Sequence, residues 1–173
     1  MSADRLEHVK KESTDSSVKS RTLDVDTDYK QWVTFYINDE LFAVEAMLVK
    51  EVLDYDEITP VPNSLEYVTG LINLRGKVIT VINTRIMFAL DSTDPDQNSN
   101  IVLIDFNEEE MVGFIVDNVD EVISLPTKSI EASPKASKPD AKSSFVKGVA
   151  VYKDKMTICL DIKQMISHIT PKE

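Results

Sequence analysis

Leu71-Ile72-Asn73-Leu74-Arg75-Gly76-Lys77-Val78-Ile79-Thr80-Val81-Ile82 is the stretch whose reading decides the fold class. Two short apolar runs, the second rich in β-branched residues, flank Arg75-Gly76-Lys77. Gly76 suits a turn position that needs positive φ, so the stretch reads as two strands reversing on a tight structural turn. The same grammar recurs on both sides. Upstream, Trp32 to Ile37 and Leu41 to Val44 flank Asn38-Asp39-Glu40 as a hairpin. Downstream, Ile101 to Phe106 and Met111 to Val116 flank Asn107-Glu108-Glu109-Glu110, and Val119, Val122, Ile123 and Leu125 continue the β pattern. A third hairpin joins Phe145 to Val151 with Met156 to Leu160. Short strands separated by turn signals describe an all-β sandwich or barrel, not βαβ units. No long internal repeat is evident.

Helices are expected to be few. Ala46, Val49, Val52 and Leu53 follow helical spacing and suggest one or two turns. Thr84 to Leu90 reads as a short helix. Asp161 to Ile169 reads as a terminal one, with Ile162, Met165, Ile166 and Ile169 on one face. Thr59-Pro60-Val61-Pro62 must be extended, because each proline restricts the residue before it. Asp91 to Asn100 is a polar loop. Pro126 to Ser144 is a long, lysine-bearing loop, either mobile or a contact surface. Residues 1–28 carry sparse apolar side chains among mixed charges, so they read as a disordered tail. Folded sequence then occupies 29–169.

Composition excludes several functions. The formal charge is -11, with 30 acids against 19 bases, a poor match for a phosphate backbone, so no nucleic acid is expected. The single cysteine, Cys159, excludes an intrachain disulfide and any zinc site needing two thiolates from one chain. Between Ile158 and Leu160 it reads as a buried, inert thiol in a reduced, cytoplasmic setting. No apolar run approaches the roughly 18–20 residues that span a bilayer, so no direct membrane insertion is expected. The N-terminus lacks the apolar core of a secretory signal.

Reactive constellations are missing as well. His8 falls in the tail and His168 in the last helix, so acid–base or metal chemistry built on histidine is not expected. Four glycines leave no room for phosphate-binding or nucleophile-elbow motifs. Asp94, Asp96, Asn98, Asn100 and Asp105 mimic an EF-hand loop, but Ser99 stands where glycine is needed and a strand follows. Catalytic, cofactor and metal sites are therefore all read as none. What remains is surface. Arg75, held in a tight turn, presents a planar fork to a partner or a neighbouring carboxylate, or is an ordinary turn arginine. Val49 and Glu51 lie near the same face, Val49 as a core residue or as a contact.

The order of motifs resembles the CheW family of bacterial chemotaxis coupling proteins. The resemblance runs through Val44-Glu45, Val49-Lys50-Glu51-Val52, Thr59-Pro60-Val61-Pro62 and Tyr67 to Arg85, in which Asn73-Leu74-Arg75-Gly76 is the most diagnostic part. Val112 to Val119, Phe145 to Ala150 and Ile158 to Ile162 look like its later motifs. Thr80 stands where the family often has proline, and Asn83-Thr84 where it often has Asp-Leu; Asn83 can still cap a helix. The resemblance implies two small five-stranded SH3-like β-barrels packed on a shared hydrophobic core, with short helices and a C-terminal helix. By this reading subdomain 1 spans roughly 29–83 plus 150–169, and subdomain 2 roughly 84–149.

The resemblance also implies a non-enzymatic adaptor. Such a protein joins the cytoplasmic tip of methyl-accepting chemotaxis receptors to the regulatory domain of the histidine kinase CheA. It would be cytoplasmic, recruited to membrane-associated arrays, monomeric in isolation and part of rings or arrays with the kinase. Arg75 and Glu51 look like the family's receptor-face pair, with Val49 nearby. Gly70 looks like a family glycine in a contact loop, and it too is assigned to receptor binding. Other readings are a CheW-like scaffold of another chemosensory system, or a non-chemotactic ligand- or calcium-binding β-barrel. Neither a receiver domain nor an ATP-binding domain is expected beside this one.

Overall fold

The apolar runs become strands in the computed structural model, which describes residues 28–91, 93–107, 110–132 and 142–169. The expected tail up to residue 27, Glu108, Glu109 and residues 133–141 of the long loop lie outside the described residues. Strands β1 (Tyr29–Ile37), β2 (Glu40–Glu45), β8 (Asn118–Pro126), β9 (Val146–Tyr152) and β10 (Lys155–Leu160) form one sheet in the order β8-β1-β2-β10-β9. Strands β3 (Val49–Asp54), β4 (Val68–Leu74), β5 (Lys77–Asn83), β6 (Asn100–Asn107) and β7 (Glu110–Val116) form the other, in the order β3-β6-β7-β5-β4. Each sheet curls into a small SH3-like barrel. In the first, Glu131 bridges Val149 of β9; in the second, Thr59 bridges Leu71 of β4.

Alternation along the strands sends successive side chains to two different interiors. Trp32, Ala43, Ile123, Leu125, Ala150 and Cys159 fill the first barrel. Ile79, Val81, Ile101, Leu103 and Ile115 fill the second. The residues between them, including Val33, Phe35, Phe42, Val44, Val102, Ile104, Val112 and Phe114, form a third layer shared by both barrels. Burial on two faces is why Leu41-Phe42-Ala43-Val44 and Ile101-Val102-Leu103-Ile104 are continuously apolar instead of alternating. Each fully buried aliphatic or Phe side chain contributes roughly 1.5–3 kcal/mol.

Two helices complete the layer. Helix α1 (Thr84–Met87) is capped by Asn83, whose side chain accepts from the N–H groups of Arg85 and Ile86. Helix α2 (Ile162–Ile169) buries Ile162, Met165 and Ile166, and Asp161 Oδ1 accepts from Gln164 N at 3.2 Å. Rings run through the layer in sequence: Phe35 to Phe42, Phe42 to Phe88, Phe88 to Phe145, Phe145 to His168 and His168 to Tyr67, at centroid separations of 6.2, 5.7, 5.8, 5.3 and 5.7 Å.

Three expectations need correction. The stretch from Ala46 is one 3₁₀ turn, Ala46–Leu48, and Val49 to Leu53 belong to β3. Val49, Glu51 and Leu53 form the half-buried side of that strand, and a glutamate among them disguised the two-residue period. The sheet boundary does not follow a division at residue 84 either. Strands β3, β4 and β5 pair with β6 and β7, whereas β8, which falls within the 84–149 range, and β9, which straddles its end, pair with the N-terminal hairpin and β10. Hydrogen-bonding continuity, not chain order, decides membership.

An internal repeat is also present. The segment β4-β5-α1 corresponds to β9-β10-α2, and β3, β6 and β7 correspond to β8, β1 and β2, so the two sheet orders superimpose. The parallel pairs agree, with Val81 beside Gly113 in one barrel and Cys159 beside Ala43 in the other. One barrel thus reads the same topology from a shifted starting point.

Candidate docking face

Leu74 pairs with Lys77, leaving Arg75 and Gly76 as a two-residue turn. Both have positive φ, 52° and 86°, the type I′ geometry that matches the twist of a hairpin. Gly76 adopts this freely. Arg75 does not, so its left-handed backbone costs about 1–2 kcal/mol that must be offset locally. The turn carries the Arg75 side chain across to β3, which lies at the opposite end of the sheet order from β4.

There Arg75 Nη1 donates to Glu51 Oε2 at 3.0 Å and Nη2 donates to Glu51 Oε1 at 3.1 Å. This is a two-pronged guanidinium–carboxylate contact, which fixes orientation as well as distance. Hydrogen bonding to Arg75 holds the Glu51 carboxyl below its ordinary value of 4.5, against the partial loss of water. The Arg75 guanidinium is raised in turn, first by the hydrogen bonds and then by the charge of Glu51. Both groups are ionised at neutral pH. The Arg75 side chain is 74% exposed and that of Glu51 31%. A pair so open to water adds little to folding. What it does provide is a charged fork held in a fixed pose on the surface.

Val49 lies two residues before Glu51, half-buried against the shared layer, and Leu53 lies two residues after it, against the interior of the second barrel. Strand β3 therefore leads from the junction of the barrels to the Arg75 fork. Gly70 takes a different place. It is buried, and a Cβ there would stand 2.1 Å from the carbonyl oxygen of Thr59. Gly70 presents no surface to a partner. It lets the Thr59 segment close against β4, an indirect support for the face.

The false EF-hand residues are dispersed by the fold. Asn100 and Asp105 lie within β6, and the Asn100 amide binds Val119 N at 2.9 Å and Leu53 O at 3.5 Å. Asp96 Oδ1 accepts from Asn98 N at 2.8 Å within its own loop. Among the described residues, no three metal-capable side chains converge. Cys159 is buried, and burial pushes its thiol up to about 11. Sequence reasoning missed Asn73, whose Oδ1 accepts from Gly76 N at 3.1 Å, and the fork of Arg85 on Asp117. An asparagine two residues before the turn arginine was the available signal for the first. Nothing in the sequence signalled the second, since Arg85 and Asp117 meet only through tertiary structure.

The family model for the CheW-like domain matches residues 31–170. The chain belongs to the CheW family. Among its relatives, the chemotaxis protein CheW of Thermotoga maritima is 32% identical over 141 residues, covering 82% of this chain and 90% of the relative. The chemotaxis protein CheW of Klebsiella aerogenes is 27% identical over 138 residues, covering 80% and 82%. The crystal structure of the scaffolding protein TtCheW from Thermoanaerobacter tengcongensis matches with a TM-score of 0.70 and 34% identity, covering 77% of this chain and 89% of that one. This CheW-family chain is a chemotaxis coupling scaffold, and its family is one of scaffolds, not enzymes. Among the described residues, no helix is long and apolar enough to cross a membrane.

Proposed function

We propose that this CheW-family chain couples the cytoplasmic tip of methyl-accepting chemotaxis receptors to the regulatory domain of the histidine kinase CheA, without catalysis of its own. It works in the cytoplasm at membrane-associated receptor arrays, as a monomer when alone and as part of a ring or array with the kinase. The observation that carries this reading is the Arg75–Glu51 fork, exposed and two-pronged, on a strand that starts from the junction of the barrels with Val49. An Arg anchor beside partly buried apolar surface is the composition of a protein contact. A rigid helical hairpin, as a receptor tip would be, lays an apolar stripe beside such a face and takes its register from the charged pair.

The test is sedimentation of the purified chain with a receptor cytoplasmic fragment and a candidate CheA. Kinase should enter the pellet only when receptor fragment and this chain are both present. Kinase that pellets equally well without this chain contradicts it.

A further inference from the structure

The barrels supply a comparison within one molecule. The turn equivalent to Arg75-Gly76 is Lys153-Asp154, with φ of 49° and 65° and flanking residues Tyr152 and Lys155 paired as Leu74 and Lys77 are. The residue equivalent to Asn73 is Val151, which has no side-chain acceptor. Lys153 lies 5.3 Å over the Tyr152 ring and, among the described residues, forms no ion pair, although Glu121 of β8 stands where β3 has Glu51. The left-handed turn therefore forms without help from an asparagine.

In the second barrel the asparagine is present, and Gly76 N donates to its Oδ1 at 3.1 Å. Asn73 is exposed and paired across the strand with Val78, so it fills no core space. The N–H it holds belongs to the peptide that directly follows Arg75. Anchoring that peptide fixes the backbone on which the guanidinium is mounted, at a residue whose φ is otherwise disfavoured. The acceptor occurs at the turn that bears a two-pronged fork and is missing from its twin that bears none.

We propose that Asn73 is a positioning residue, setting the pose in which Arg75 meets the receptor tip. The proposal rests on the docking role given to Arg75 above. Its test uses the full chain and a purified cytoplasmic helical-hairpin fragment of a chemoreceptor, with affinity and thermal midpoint measured side by side. Asn73→Val, which copies the first barrel, should lower affinity about three- to tenfold, the span expected for one net hydrogen bond. Its midpoint should stay within about 2 °C of wild type. Asn73→Asp, which keeps an acceptor, should bind within about twofold of wild type. Placed on Arg75→Ala, Asn73→Val should change affinity by less than about 1.5-fold, because there is nothing left to position.

Wild-type affinity in Asn73→Val, a loss that persists undiminished on Arg75→Ala, or failure of Asn73→Val to fold would each overturn the proposal. If Arg75→Ala binds as well as wild type, the docking role itself fails, and this inference with it. If Arg75→Ala loses affinity and Asn73→Val does not, only the positioning role fails.

Discussion

Gly70 and Gly148 hold the same station in the two barrels. Each precedes the residue through which its barrel closes, Leu71 bridging Thr59 and Val149 bridging Glu131. Each lies against the carbonyl oxygen of that partner, where an added Cβ would stand at 2.1 Å for Gly70 and 2.6 Å for Gly148. Closure of a small barrel brings backbone onto backbone, and only a residue without a side chain admits it.

Alanine should therefore be costly at Gly70 and mild at Gly76. Gly76 has open space around its missing Cβ and only its φ of 86° to lose. We expect Gly76→Ala to cost about 1 kcal/mol and Gly70→Ala about 3 kcal/mol or more, read from urea midpoints. Equal costs at the two positions would contradict the closure argument.

The hairpins were legible because Arg75-Gly76, Asn38-Asp39 and Lys153-Asp154 stand between β-branched and aromatic runs. The motif resemblance carried the barrel count and the Arg75–Glu51 pairing. Strand β3 was not legible, since its half-buried side carries Glu51, a residue held there by an arginine distant in sequence. The internal repeat was hidden for a related reason. Its equivalent positions preserve size, as with Gly113 and Ala43 or Tyr67 and Phe145, more than identity. Asn73 looked like a polar residue on a strand until its acceptor atom was placed on Gly76 N.

The shared layer makes one folding unit of two barrels. Phe88 follows α1 of the second barrel and contacts Phe42 and Phe145, which belong to the first. Phe88→Ala should cost about 3–5 kcal/mol. The single tryptophan, Trp32, sits in the first barrel's interior and reports its melting by fluorescence. Fluorescence and far-ultraviolet circular dichroism should shift together. A Trp32 transition left unmoved by Phe88→Ala would show that the barrels melt independently.

Cys159 should be silent in the native protein. Burial pushes its thiol up to about 11, so at pH 8 it is the neutral thiol, and it is also inaccessible. Ellman's reagent should titrate one thiol in denaturant and almost none over the same minutes in buffer. Rapid labelling of the folded chain would contradict the packing of the first barrel.

Glu45 provides a dependence on pH. Burial alone would raise its carboxyl, but hydrogen bonds and charge from Lys147 and Lys30 outweigh that and leave it below 4.5. A lowered carboxylate stabilises the fold above its ordinary value, and that contribution is lost as pH falls through the folded value. Both lysines are nearly half exposed, so water weakens the pairs. Glu45→Gln should cost about 0.5 kcal/mol at pH 7, with the difference from wild type shrinking below about pH 4. A cost that stays constant into acid would mean the charge is not its source.

The receptor-facing role proposed for the Arg75 fork is tested most directly by the affinity of Arg75→Ala for a receptor cytoplasmic fragment, alongside its thermal midpoint. Because the pair is exposed, removing it should leave the midpoint nearly unchanged. If it sets the register of docking as proposed, its loss should weaken binding about tenfold, close to 1.4 kcal/mol. Wild-type affinity in a folded Arg75→Ala chain would contradict the account.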